Sequence, residues 1–416
     1  MLGFMDYVQN AFYEASHWNR DNSYGTLTAT SRNILDFQTP DGIRLHVSSL
    51  ASPNFATSYT LGSVGLVDGS LSYLYSSLPL TAYASKSSAI DLHRVVPGYR
   101  QLQDLRQPDE PRWWEIWHQG KRVDRREALL YGRLFLPRST LEALYLRRLT
   151  PKAQLRVSCV SDSRLPNGGT ILAHLQYDAA KHNTEYIYST DSALLGVRGL
   201  YNFGPEPPLV EQPFEQSPDP TISTANEAVA LATAPAPVRP NGRFSAGGEI
   251  YYGLLNKSGG ISTGLRFTTL PAHTGFPYTM TLTLNPLMGN LSSTYSVLAS
   301  PLLALSSRFD FNVYSYESEL QVGTELWRRK SRPMPDDLDW ARRKLGLPLL
   351  EQSLAKVDDA DDMAGCLKAR LDQRGSLGLL WEGRVKELLY SCGLTLDLKS
   401  AQNMVRGFGL EVQYSS

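Results

Sequence analysis

At 416 residues the chain has room for two or three soluble domains or for one large barrel. Its 41 basic and 41 acidic residues cancel, and a pI near 7.1 leaves no basic surplus of the kind that holds nucleic acid. Three cysteines, Cys159, Cys366 and Cys392, are too few and too scattered for a disulfide framework or a zinc site.

Residues 1–17 space Met5, Val8 and Phe12 as a short amphipathic helix. The opening lacks the basic start and apolar core of a secretory signal, so the sequons at Asn256 and Asn290 read as accidents. Asp6 and Glu14 precede the first arginine, Arg20, which does not suit a matrix presequence. No stretch reaches the ~18 uninterrupted apolar residues of a membrane helix. The mean hydropathy of −0.27 is what strands alternating between lipid and water average to.

From Ile43 onward, period two governs. Ile43, Leu45 and Val47 alternate with Arg44, His46 and Ser48. Asp68-Gly69 reads as a tight hairpin turn leading into Leu71, Tyr73 and Tyr75 on one face. Ser139, Thr140 and Glu142 look like a capping box opening a helix toward Leu144 and Leu149. Further alternating sets follow at Leu155 to Cys159, Ile171 to Tyr177 and Leu195 to Phe203.

Residues 204–243 hold nine of the 25 prolines and read as a long surface loop. Alternation resumes at Ile250, Ile261 and Met280, then at Leu305 and Leu320. Residues 328–364 form a second long loop, basic at Arg328, acidic at Asp358, with a helix expected after Asp336. Leu367, Ala369 and Leu371 then oppose Lys368, Arg370 and Asp372, and Leu388 to Leu396 continue the pattern. The strands number well over a dozen, with few helices to cover them. Such faces suit either a soluble sheet with a wet side or a barrel with a wet lumen. The 22 tyrosines, many near strand ends, suit an aromatic girdle or an ordinary sheet.

Catalytic chemistry is missing. Gly260-Ile-Ser-Thr-Gly264 matches a hydrolase string but sits inside an alternating strand, without the turn that exposes the serine. The seven histidines have no metal-ligand spacing. Trp113, Trp114 and Trp117 beside Lys121 and Arg122 suit interfacial anchoring or loop packing better than nucleic acid, given the neutral chain. No enzyme, cofactor or metal is expected.

At the end of the chain Phe408, Leu410, Val412 and Tyr414 alternate with Gly409, Glu411 and Gln413, as a barrel's closing strand would. Gly409, Val412 and Tyr414 resemble the sorting signal of mitochondrial outer-membrane barrels, with Gly407 where that signal has a polar residue.

The opening Met1-Leu-Gly-Phe-Met-Asp-Tyr, the block Asn19-Arg-Asp-Asn-Ser-Tyr24 and the block Leu35-Asp-Phe-Gln-Thr-Pro-Asp-Gly42 resemble the fungal mitochondrial distribution and morphology protein 10 family. So do Ser70-Leu-Ser-Tyr-Leu-Tyr75 and Gly242-Arg-Phe-Ser-Ala-Gly-Gly-Glu-Ile-Tyr-Tyr252.

The resemblance implies an all-β transmembrane β-barrel of about 19 strands, anion-channel-like in fold. Residues 1–36 would be a helical segment in or near the pore and 37–416 the barrel. An odd strand number makes the first and last strands parallel, with both termini on one side. The expected location is the mitochondrial outer membrane at contact sites with the endoplasmic reticulum. The expected partners are subunits of the ER–mitochondria encounter structure and of the sorting and assembly machinery. A receptor subunit of the general translocase, whose late assembly would be promoted, and membrane lipids complete the set; nucleic acid does not belong to it.

Within that frame Tyr73 and Tyr75 form a candidate docking patch, with the aromatic girdle as the plainer account. The alternative function is an anion or metabolite channel, in which Arg266, Arg308, Lys368 and Arg370 would face the lumen and favour anions. A soluble multi-sheet binding protein is the third reading.

Overall fold

The computed structural model describes residues 1–416 except 65, 82, 103–104, 106, 109–114, 119–120, 125–126, 166, 205–240, 331–343, 345–362 and 400–403. Its strands are β1 (Gly42–Ser52), β2 (Phe55–Val64), β3 (Leu66–Ser76), β4 (Glu115–His118), β5 (Lys121–Asp124), β6 (Ala128–Leu136) and β7 (Thr140–Thr150). There follow β8 (Ala153–Ser161), β9 (Gly169–Asp178), β10 (His182–Ser189), β11 (Leu194–Phe203), β12 (Gly242–Gly253), β13 (Ser258–Thr269) and β14 (Tyr278–Asn285). The last are β15 (Asn290–Ser300), β16 (Leu303–Asn312), β17 (Ser318–Arg329), β18 (Met363–Asp372), β19 (Ser376–Val385), β20 (Leu388–Asp397) and β21 (Val405–Ser415). Helices α1 (Phe4–Ala15), α2 (Ala29–Leu35) and α3 (Leu92–Val95) lie outside the sheet.

Nineteen of these strands make one closed sheet, while β4 and β5 pair only with each other. Every neighbour in the barrel is antiparallel except at the seam, where β1 and β21 run parallel from Gly42↔Gly409 to Ser48↔Ser415. Closure leaves no edge strand, which lipid would not tolerate because it cannot satisfy free backbone groups. Among the described residues no helix is long and apolar enough to cross a membrane.

The alternation seen in the sequence is the inside-outside alternation of the wall. Ile250 and Tyr252 of β12, Leu265 of β13, Met280 and Leu282 of β14 and Phe309 of β16 are exposed on the outer face. Their neighbours Arg266, Thr281, Thr294 and Ser306 are buried on the inner face.

Because the strands alternate in direction, the connections fall into two sets. The long ones, residues 77–127, 204–241, 270–277 and 330–362, leave from the end where β21 finishes. Those at the other end run from one residue, between β2 and β3, to seven.

Two local expectations are overturned. Asp68 and Gly69 do not turn: they lie inside β3, paired with Gly62 and Leu61. The alternating run simply begins earlier than the Asp-Gly signal suggests. Ser139 does not open a helix either; it sits at φ 53 in a tight β6–β7 hairpin and Thr140 begins β7. Cross-strand pairing along the whole run 140–150 overrides the local capping preference. The loops expected at about 204–243 and 328–364 fall almost entirely outside the described residues, as do Trp113, Trp114 and the helix after Asp336.

Candidate functional site

The lumen is occupied. α1 turns Phe4, Met5, Val8, Ala11 and Phe12 onto the inward-facing Ala56, Leu74, Leu129, Leu144 and Leu146 in one apolar cluster. The connection from β3 to β6 joins the same cluster with Leu80, Ile90, Leu92, Val95 and Val96, all buried. Tyr7 donates from its hydroxyl to the carbonyl of Ala84 at 3.0 Å, and its ring lies 5.1 Å from that of Tyr83. Burial pushes the Tyr7 hydroxyl up to about 12, so it stays a neutral donor. The described residues of 77–100 therefore form a second inner layer, which was not visible in the sequence.

Polar contacts fasten both layers around the wall. Arg148 donates to the Ser16 carbonyl, pairs with Glu127 at 3.1 Å and lies over the Trp18 ring. Asn22 donates to Asp178 at 2.7 Å and accepts from Asn202, which in turn accepts from Ser245. Tyr24 meets Ser262 at 2.7 Å, which gives the serine of the hydrolase-like string a packing partner. The inner loop is tied by the Ser87 amide to the Ser415 carbonyl at 3.0 Å, and by Arg384 to the carbonyls of Ser88 and Ile90.

Arg266, Arg308, Lys368 and Arg370 lie on the inner face of the wall. Three of them are engaged by the plug that the residues before β1 and the inner loop form. Arg308 makes two hydrogen bonds to Asp36, just past α2, at 2.7 and 2.9 Å. Arg370 donates to the carbonyls of Leu35 and Phe37, both at 3.1 Å. Lys368, fully buried, pairs with the fully buried Glu382 at 3.1 Å and donates to the carbonyl of Pro97. Nearby, Glu325 accepts from the Trp327 indole at 2.6 Å and from the Tyr99 amide at 2.8 Å. Arg266 is 2% exposed, and Tyr24 and Leu27 pack over Gly264, two residues before it on the same face.

At the seam Val412 and Tyr414 point outward, opposite Leu45 and Val47, while Gly409 points inward. There the strap from the plug to β1 crosses the wall. A Cβ on Gly409 would collide with the Pro40 carbonyl, and one on its partner Gly393 would lie 2.6 Å from Pro40 Cδ. His46 Nε2 lies 2.7 Å from Glu411 on the inner face and joins the two parallel strands.

Tyr73 and Tyr75 share the outer face of β3, 46% and 50% exposed, with Phe55 of β2 stacked on Tyr73. Tyr59 and Leu130 extend the same outward surface. Among the described residues no group of His, Cys, Asp and Glu is arranged to hold a metal.

A family model described as Mitochondrial distribution and morphology protein 10 matches residues 1–345 and 349–416. A curated protein of that name from Phaeosphaeria nodorum is 64% identical over 416 residues, covering 100% of both chains. Those from Sclerotinia sclerotiorum and Neurospora crassa are 58% and 44% identical, again over 100% of both chains.

Proposed function

This chain belongs to the mitochondrial distribution and morphology protein 10 family, a β-barrel protein with a role in the distribution and morphology of mitochondria, and from that premise we propose that it is a non-enzymatic scaffold of the outer membrane. The scaffold is a shared subunit of two assemblies. One is the tether between endoplasmic reticulum and mitochondria, with its part in phospholipid exchange. The other is the sorting and assembly machinery, where the barrel promotes late assembly of the general translocase. Gly409, Val412 and Tyr414 act as the signal by which the chain itself is inserted.

The observation that carries this reading is the occupied lumen. Arg308, Lys368 and Arg370, the cations an anion channel would present to its permeant ions, are held by Asp36, Glu382 and main-chain carbonyls. With its interior spent on packing, the barrel has its outer wall and its loop-rich end left to offer to partners. The wall patch at Tyr73 and Tyr75 suits a partner within the membrane, because aromatic side chains supply large contact area with a polar tip.

Affinity purification of the tagged chain from gently solubilised mitochondria, followed by native electrophoresis, tests it. The scaffold reading expects two populations, one with assembly-machinery subunits and one with tether subunits. Migration of the chain alone would contradict it.

A further inference from the structure

Three neighbouring hairpins at the short-turn end carry large apolar side chains at their tips. They are Leu254 and Leu255 between β12 and β13, Leu287 and Met288 between β14 and β15, and Tyr314 and Tyr316 between β16 and β17. Their exposure is high, reaching 72% at Leu255 and 80% at Tyr316. Neighbouring hairpins stand two strand spacings apart, about 10 Å, so the three tips form an apolar arc roughly 20 Å long. Soluble surfaces rarely leave so many large apolar groups together.

The second and third tips also pair their polar groups with each other, and the first bonds to the neighbouring β10–β11 turn through Ser192 and Ala193. Asn285, Asn290 and Asn312 form a ladder across the strand ends, and Asn312 donates to Asn290 at 2.7 Å. Asn285 accepts from the Met288 amide, and Asn312 accepts from the Tyr314 amide and donates to the Met288 carbonyl. The Tyr314 hydroxyl closes the set on the Pro286 carbonyl at 2.9 Å. Such pairing is compatible with a turn that enters a medium of low polarity, where an unpaired amide is costly. The outward register leads into the tips, as Ile250 and Tyr252 run on to Leu254 and Phe309 and Phe311 run on to Val313. The arc is thus continuous with the lipid-facing wall. Further round the same rim, the turns between β6 and β7 and between β8 and β9 carry Arg138, Asp162 and Arg164 and, among their described residues, no exposed large apolar side chain, whereas the three tips hold Lys257 and Glu317 as their only charges.

We propose that these three tips are a membrane foot, seated at the boundary between headgroups and acyl chains of the barrel's own bilayer. The rim of that sector is drawn into the membrane while the rim bearing Arg138 and Arg164 stays in water, so the barrel sits tilted or the bilayer thins locally. The inference rests on the reading of the chain as a membrane barrel.

Nitroxide labels test it in phosphatidylcholine–phosphatidylethanolamine nanodiscs, with Cys159 and Cys392 replaced by serine. The label is placed at Tyr316→Cys, at Arg164→Cys further round the rim and at Leu282→Cys on the wall. Collisional relaxation by oxygen and by a water-soluble nickel complex reports depth. Labels at 316 and 282 should favour oxygen over nickel severalfold, and the label at 164 should favour nickel. If 282 reports lipid but 316 matches 164, the foot is wrong and the tips are free in water for a protein partner. If 282 itself reports water, the membrane-barrel reading fails first. Met288→Cys serves as a second tip position should Tyr316→Cys fail to fold.

Discussion

Gly409 has two jobs at one position. As part of the proposed insertion signal it is a recognition element, and in the folded barrel it is the notch under the Pro40 carbonyl. Gly393, directly across the β20–β21 pair, lies outside that signal and shares only the second job. Gly393→Ala should therefore insert normally yet displace the strap, at a cost of about 1–3 kcal/mol. Limited proteolysis of the detergent-solubilised barrel would show this as faster cleavage within residues 1–41. Unchanged protection would mean that the strap passes freely.

Tyr73→Ala with Tyr75→Ala removes the proposed outer patch without touching the inner face. It should reduce recovery of one partner assembly severalfold, while the chain still resists alkaline carbonate. Equal recovery of both assemblies would leave these tyrosines as girdle alone. That Tyr73 shares a face with Tyr75, and Val412 with Tyr414, was legible because strand side chains keep a strict period of two; which face meets lipid was not. The notch was not legible, since nothing near Gly393 or Gly409 in sequence announces that Pro40 crosses them.

At the scale of elements, the wall was read well and its contents poorly. Strands such as β1, β13 and β16 announce themselves because one face meets lipid and the other meets a polar interior. The inner loop 77–100 has no such repeat: Leu80, Ile90, Leu92 and Val95 follow no single period, and their partners Phe4, Leu389 and Trp327 are remote in sequence. Its anchor is ionic as well as apolar. Removing one member of a buried pair strands the other, a loss of about 3–5 kcal/mol. Glu382→Gln should accordingly lower the thermal midpoint in detergent by several degrees by leaving both Lys368 and the buried Met1 ammonium without their shared carboxylate. Lys368→Met combined with Glu382→Leu should recover only part of it, because the Met1 ammonium still lacks a partner. A single variant as stable as the parent would show that the Pro97 carbonyl alone suffices for Lys368.

For the molecule as a whole, an odd strand count leaves a parallel seam, and the segment before β1 lies against the inner face of the closed wall. The interior joins strands on all sides to the first 41 residues and to the inner loop, so the barrel behaves as a filled cylinder. The alternation follows from the sequence pattern, and the nineteen-stranded barrel follows from the family resemblance. That the lumen is packed shut by charges once expected to serve ions emerges only from the paired geometry of Asp36 with Arg308 and Glu382 with Lys368. The central claim is that this barrel works through its surfaces and not through its pore. Planar-bilayer recording of the purified full chain tests that most directly. The account predicts no sustained open state, whereas a stable, anion-selective conductance would contradict it.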